Sequence, residues 1–345
     1  MTETLLDGPT TDVRAPVLSV RDLSVEFDTR DGALPALQGV SLDVHAGRTL
    51  ALLGESGSGK SVTAQTVMGL LDPPGRVTGG SVLFRGADLL TASAEERRRV
   101  SGEEIAIVFQ DALSSLNPVF TVGEQIAELL RVRRGMGRRA AAARAVELLE
   151  RVRIPAPADR ARDYPHQFSG GMRQRVMIAL ALALEPTVLI ADEPTTALDV
   201  TVQAQIMDLI LDLQRELDMG LVLITHDLGV VAEVADTVAV MYAGRIVEQG
   251  TVHELFAAPA HPYTRGLLRS IPRVDREDDT LWAIPGTPPS LLGRAPGCAF
   301  APRCDAVVER CTVERPALVD PEPLSPGTRR LSACHRREEV LHGHA

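Results

Sequence analysis

The chain has 345 residues, 45% of them hydrophobic and only 3% aromatic, and carries a formal net charge of −10. That size and apolar content support one large or two ordinary domains with a core built from Ala, Val, Leu and Ile, and the negative charge argues against broad electrostatic binding to nucleic acid. No run of roughly 18 or more apolar residues is present, so no segment has the length to span a bilayer as a helix.

In chain order, residues 1–16 are polar and acidic, lack the basic and apolar regions of a signal peptide, and are expected to form a disordered tail on a cytoplasmic protein. Val17–Phe27 and Ala36–Val44 alternate apolar and polar residues, which predicts an antiparallel pair. The apolar run Thr49–Leu53 enters Gly54-Glu55-Ser56-Gly57-Ser58-Gly59-Lys60-Ser61, and Ser61–Leu71 reads as a helix. Further strands are predicted at Ser81–Phe84, Ile105–Phe109, Thr187–Ala191, Leu221–Thr225, Thr237–Tyr242 and Arg245–Glu248. Val122–Val132 and Ala140–Val152 have helical spacing, the second stopping near Ile154-Pro155-Ala156-Pro157. An α/β core over residues 17–270 is thus interrupted by a helical insertion at about 110–185. Beyond Ser270 the composition turns to Pro, Gly, Arg and Cys, marking a small appendage over 271–345. There is no tandem repeat.

Three motifs carry chemistry. Residues 54–61 fit G-x-x-x-x-G-K-[ST] at every fixed position, in the strand–loop–helix context that the motif requires. Lys60 is the chain's single lysine among 36 basic residues, and a compact ammonium suits a loop wrapped closely round phosphates better than a wide guanidinium does. The loop amides would form an anion-binding nest, Lys60 would reach the β- and γ-phosphates, and the Ser61 hydroxyl would ligate Mg²⁺. Next, the apolar strand before Asp192-Glu193-Pro194 delivers two carboxylates to its carboxyl end, Asp192 for the Mg²⁺ shell and Glu193 as general base toward an attacking water. Last, Phe168-Ser169-Gly170-Gly171-Met172-Arg173-Gln174-Arg175 opens a helix over Val176–Leu184 and makes a second anion-type helix start. One phosphate loop leaves that second start without a use within a single chain.

Together the three motifs resemble the ATPase subunit of an ATP-binding cassette (ABC) transporter. The resemblance covers about residues 17–335 and implies a P-loop NTPase fold of the ABC type: a mixed-sheet core, an antiparallel β subdomain and a helical subdomain. It also implies that Ser169, Gly170 and Gly171 close over the ATP held by a partner subunit. Gln110 resembles the glutamine that contacts Mg²⁺ and reports on the membrane subunits. Ala197-Leu198-Asp199 resembles the loop that communicates across the dimer. His226 resembles the switch histidine that holds the γ-phosphate, and Phe27 stands where an aromatic stacks on adenine. The first and last residues of the signature depart from Leu-Ser-Gly-Gly-Gln. With Leu116-Asn117-Pro118 and His261-Pro262-Tyr263-Thr264-Arg265-Gly266-Leu267-Leu268, the segment Phe168–Arg175 is similar to the oligopeptide, dipeptide and nickel importer branch.

All four cysteines lie near the end, as Cys298-x5-Cys304-x6-Cys311-x22-Cys334. A reducing cytosol disfavours disulfides, and zinc sites pair their cysteines more closely, so the spacing suits a 4Fe–4S cluster better than zinc. Members of the importer branch with a similar cysteine set are thought to hold such a cluster. The expected function is ATP hydrolysis that energises import of oligopeptides, dipeptides or similar small solutes. The expected partners are a second ATPase subunit, two transmembrane permease subunits and, indirectly, an extracytoplasmic solute-binding protein, with no nucleic acid. The chain would then sit peripherally on the cytoplasmic face of the membrane. The alternative is a soluble, non-transport ABC ATPase acting on DNA or ribosomes.

Overall fold

Two sheets organise the chain. The computed structural model describes residues 15–110, 115–196, 198–271, 283–289, 296–321 and 330–343. Most of the expected N-terminal tail, Ala197 and parts of the appendage lie outside the described residues. Strands β1 (Leu18–Thr29) and β2 (Gly32–Val44) form a long hairpin. Strand β3 (Thr49–Leu53) then starts the second sheet and leads through a glycine loop into α1 (Lys60–Met68). The chain returns to the first sheet with β4 (Gly75–Phe84) and the two-residue β5 (Ala87–Asp88), giving the order β2-β1-β4-β5. β4 begins six residues before the expected Ser81. Gly75 pairs with Phe27, and a Cβ on Gly75 would stand 2.8 Å from the Phe27 ring, so the absence of a side chain there is what lets the strand start this early.

After α2 (Ala94–Glu103) and β6 (Ile105–Val108) come α3 (Val122–Arg134), α4 (Arg138–Arg151), a single turn at Pro157–Arg160, and α5 (Gly170–Leu182). α3 starts with a reciprocal Thr121–Glu124 capping box and stops at Gly135, which sits at φ 64°. Val122, Ile126 and Leu130 of α3 share one buried cluster with Ala141, Ala145 and Leu148 of α4 and Val176 of α5.

β7 (Val188–Asp192), α6 (Val200–Leu217), β8 (Gly220–Thr225), α7 (Leu228–Val234), β9 (Thr237–Tyr242) and β10 (Arg245–Thr251) complete the core. Every residue of β3, β7 and β8 is buried, as expected of strands covered on both faces. Helices α8 (Val252–Ala257) and α9 (Pro262–Arg269) follow, then α10 (Glu309–Val313), β11 (Leu331–Ser332) and α11 (Arg337–Leu341). The second sheet runs β11-β10-β9-β3-β8-β7-β6, parallel from β9 to β6 and antiparallel at β10 and β11. The expected mixed core with a separate antiparallel sheet and helices is present. Helices α2 and α6 to α11 and the two-residue strands β5 and β11 are additions to the expected elements. No helix among the described residues is long and apolar enough to cross a membrane.

Candidate nucleotide site

The glycine loop leaves β3 through Gly54, whose φ of 153° and closeness to the Met241 carbonyl, 2.2 Å from an added Cβ, leave no room for a side chain. Gly59, at φ 108°, caps α1, and a Cβ there would meet Leu37 at 2.7 Å. Ser56 is exposed, whereas Ser58 is buried with its hydroxyl unpartnered. The buried Lys60 turns back on the loop, its Nζ donating to the carbonyls of Gly54 (2.8 Å) and Glu55 (3.0 Å). Burial lowers its pKa, and the carboxylates of Glu193, Asp192 and Glu55 oppose that shift.

At the carboxyl end of β7, burial raises the pKa of Asp192, whose nearby Ser61 hydroxyl hydrogen-bonds to it. The Oδ1 of Asp192 is buried without a partner. An orphaned carboxylate oxygen beside a hydroxyl is the kind of hard donor pair that a Mg²⁺ ion takes, so these two residues fit the metal. Glu193 adopts φ 47°, a left-handed conformation rare for glutamate, with its N–H donating to Ile224 O at 2.8 Å. Its Oε2 accepts from Gln110 Nε2 (3.0 Å) and Thr196 Oγ1 (2.9 Å), and its Oε1 lies 3.4 Å from His226 Nδ1. The His226 side chain is 67% exposed, so it is free to swing toward a ligand. Asp227 fixes the loop behind it by capping α7 through Gly229 N (2.8 Å) and Val230 N (3.2 Å). Lys60, Ser61, Gln110, Asp192, Glu193 and His226 therefore gather at the carboxyl ends of the parallel strands β3, β6, β7 and β8.

The other expected residues lie elsewhere. Ser169 caps α5 by accepting from Met172 N at 3.3 Å, and among the described residues no hydrogen bond joins 169–171 to 54–61. A Cβ on Gly171 would be 2.5 Å from Val202, which packs the signature against the start of α6. Asp199 is the cap of that helix, accepting from Val202 N at 3.0 Å. Phe27 is half-buried at the end of β1 against the core between the two sheets.

The four cysteines come together as thiols. Every pair among them is close enough for mutual charge repulsion. Burial raises the pKa of Cys298, pushes Cys304 up to about 11 and pushes Cys334 up to about 12. Backbone amides of Phe300, Ala306 and Arg336 hydrogen-bond to the sulfurs of Cys298, Cys304 and Cys334. Yet among the described residues no group of three or more His, Cys, Asp or Glu is placed to hold a metal ion. The expected 4Fe–4S or zinc ligand set is gathered but not closed round a common centre, so neither metal group is supported by the geometry.

Three contributors to the site were not foreseen. Thr196 supports Glu193, and Tyr263 and Arg303 hold Glu55. Tyr263 lies within a motif noted in the sequence, but Arg303 is 248 positions from Glu55 and is one of many arginines, so no local pattern flags it.

The ABC transporter family matches residues 37–196, and the family described as oligopeptide/dipeptide transporter, C-terminal region, matches residues 247–311. The chain is 53% identical over 289 residues to the dipeptide transport ATP-binding protein DppD of Bacillus subtilis, covering 84% of this chain and 86% of that protein. It is 55% identical to the oligopeptide transport ATP-binding protein OppD of the same organism, covering 83% and 81%. It also resembles a dimeric post-hydrolysis structure of the ATP-binding cassette MJ0796 bound to ADP and Pi, with a TM-score of 0.61 and 28% identity over 68% of this chain and 98% of that one. Nothing among these supports the alternative of a soluble ATPase acting on DNA or ribosomes. With the paired carboxylates, the phosphate loop and the matched C-terminal region all in one chain, the protein belongs to the ATP-hydrolysing subunits of ABC transporters, in their oligopeptide/dipeptide branch.

Proposed function

We propose that this ATPase energises uptake of dipeptides, oligopeptides or similar small solutes, docked on two permease subunits at the cytoplasmic face of the membrane and fed by an extracytoplasmic binding protein. The observation that carries the site reading is the arrangement round Glu193. A carboxylate held by Gln110 and Thr196, and approached by His226, lies next to a buried Asp192 oxygen that has no partner. Gly54, Ser56, Gly57 and Gly59 would present their amides to the triphosphate, Glu55 and Ser58 would shape the loop round it through bonds to Tyr263 and within the loop, and Lys60 would leave its two carbonyls for the β- and γ-phosphates. Ser61, Asp192 and Gln110 would hold Mg²⁺, which when bound supplies charge neutralisation on the phosphates. Glu193 would take the proton of the attacking water, and His226 would steady the γ-phosphate.

Ser169, Gly170 and Gly171 would act on the ATP of a second subunit, Asp199 would lie at the same face, and Phe27 would stack on adenine. ATP would favour the closed dimer by binding it better than the open one, which is the only way it can shift the permeases. The test is nucleotide-dependent dimerisation. Protein carrying Glu193→Gln should run as a dimer on a sizing column with Mg-ATP, and adding Ser169→Arg should return it to a monomer. A monomer throughout would end the shared-site reading. For the solute, a dipeptide auxotroph relying on this transporter should stop growing when Lys60→Ala is introduced.

For the C-terminal region our reading is that Cys298, Cys304, Cys311 and Cys334 act as one unit and hold a 4Fe–4S cluster rather than zinc. The reading rests on the cysteine spacing and on the amides aimed at three sulfurs, and not on the placement of the thiols, which do not surround a common centre. Protein purified without oxygen should be brown and carry about four irons per chain. Colourless protein with stoichiometric zinc, or with no metal, would overturn it.

A further inference from the structure

Glu55, the second residue of the phosphate loop, is restrained at every polar group. Its N–H donates to Tyr263 Oη at 2.9 Å. Its carbonyl accepts from Lys60 Nζ at 3.0 Å and from Ser58 N at 3.2 Å. Its carboxylate receives a two-pronged clamp from Arg303, Nη1 to Oε2 at 2.8 Å and Nη2 to Oε1 at 3.0 Å.

Arg303 is itself immobilised. Its side chain is only 5% exposed. Nε donates to Pro285 O at 2.9 Å, and Nη1 reaches Tyr242 Oη at 3.3 Å. The guanidinium stands 5.9 Å from the Tyr242 ring and 6.0 Å from the Phe300 ring. Tyr242, Tyr263 and Phe300 pack on one another with centroids 4.6 to 5.4 Å apart, so the clamp rests on a rigid aromatic floor. Arg303 closes the short 3₁₀ turn Ala301–Arg303, directly before Cys304. The cysteine-bearing region thus grips the phosphate loop itself.

The electrostatics give this grip a purpose. A carboxylate on a loop that must receive a triphosphate repels the ligand unless it is neutralised and turned aside. A bidentate pair between a buried Arg and a half-buried carboxylate does both with a fixed geometry, which a lysine could not reproduce. The loop also has to keep its shape when Lys60 turns from the carbonyls of Gly54 and Glu55 to a phosphate. After that movement the restraints left on Glu55 from outside the loop are Arg303 and Tyr263.

We infer that Arg303 is a positioning residue for ATP binding: by holding and neutralising Glu55 it keeps the loop amides formed for a nucleoside triphosphate, so the C-terminal region contributes to nucleotide affinity. The inference rests on residues 54–61 being the phosphate site.

A mutant cycle on the full-length chain tests it, reading ATP affinity by calorimetry together with KM and kcat. Arg303→Ala should raise the Kd and KM for ATP about tenfold, on the scale of one charge-assisted hydrogen bond, with kcat at saturating ATP retained. Arg303→Lys, which keeps the charge but loses the fork, should fall between the two. In a Glu55→Ala background, Arg303→Ala should change the Kd by less than about twofold, because its effect passes through Glu55. If Arg303→Ala does not fold, Arg303→Gln takes its place in the same cycle. An equal loss in both backgrounds, or an unchanged Kd in either Arg303 variant, would overturn the inference. Lys60→Ala is the control. If that variant binds ATP normally, the phosphate-site reading falls first, whereas normal loss in Lys60→Ala with no effect at Arg303 rejects only the clamp.

Discussion

Two buried carboxylates of this protein, Asp192 and Glu248, meet opposite fates. Glu248 is fully buried, and burial raises its pKa, but its oxygens are well supplied: Ala260 N at 2.7 Å, His261 N at 3.1 Å and Arg330 Nη2 at 3.0 Å. Asp192 is 9% exposed, has its pKa raised for the same reason, and keeps one oxygen with no partner. The first arrangement ties β10, the start of α9 and the chain before β11 into one knot. The second is incomplete in a way that a cation completes. Burial alone does not mark a functional carboxylate; an unsatisfied oxygen facing a ligand loop does.

Predictions that break or sharpen this contrast run from large to small. Beside Asp192, Glu193→Gln should lower turnover by about 10² to 10⁴-fold while the Kd for ATP stays within about twofold, as a single-turnover assay and calorimetry would show. Normal hydrolysis by that variant would remove Glu193 as the base. On the Glu248 side, Arg330→Met should destabilise the fold by about 3–5 kcal/mol, because it strands a buried charge. Adding Glu248→Met should recover much of that loss in urea unfolding, and failure to recover would show that the knot is held by something other than the ion pair. Asp192→Asn should weaken Mg²⁺-dependent ATP binding about tenfold or more and leave metal-free ATP binding unchanged. Equal effects with and without metal would deny Asp192 its cation.

The smallest effect is on pH dependence. His261 is buried beside Glu248, accepts from Tyr263 N at 3.0 Å, and has its pKa lowered by burial to about 3. The unfolded chain takes up that proton first. Its contribution to stability is therefore complete above about pH 6.5 and is lost as pH falls from there toward 3, at up to about 1.4 kcal/mol per pH unit. Glu248, with its pKa raised, has the opposite sign and blunts the slope. Comparing urea midpoints at pH 7 and pH 5 isolates the histidine: His261→Asn should flatten the change, and parallel slopes would refute its role.

Much of this molecule is legible in its sequence, for reasons that differ by region. β3, β7 and β8 are uninterrupted apolar runs leading to the residues that gather at the site, so strand and motif identify each other. α2 escapes because six of its ten residues are charged and only Val100 is buried, which leaves no apolar stripe to read. α6 did carry its signal, since Ile206, Met207, Leu209, Ile210 and Leu213 are buried at helical spacing behind an Asp199 cap. β11 is two residues long, and no periodicity exists at that length. The clamp on Glu55 was invisible because tertiary packing alone joins positions 55 and 303.

β11 also bears on how the protein is made. It pairs with β10 through Glu248–Ser332 and Gln249–Leu331, and Ser332 anchors it by donating to Ala260 O at 3.0 Å. Until residue 332 leaves the ribosome, the outer edge of β10 offers unpaired backbone groups to any neighbouring nascent chain. The phosphate loop and its carboxylates are synthesised long before that. During translation this protein can therefore assemble a nucleotide pocket while one margin of its sheet is still open to mispairing.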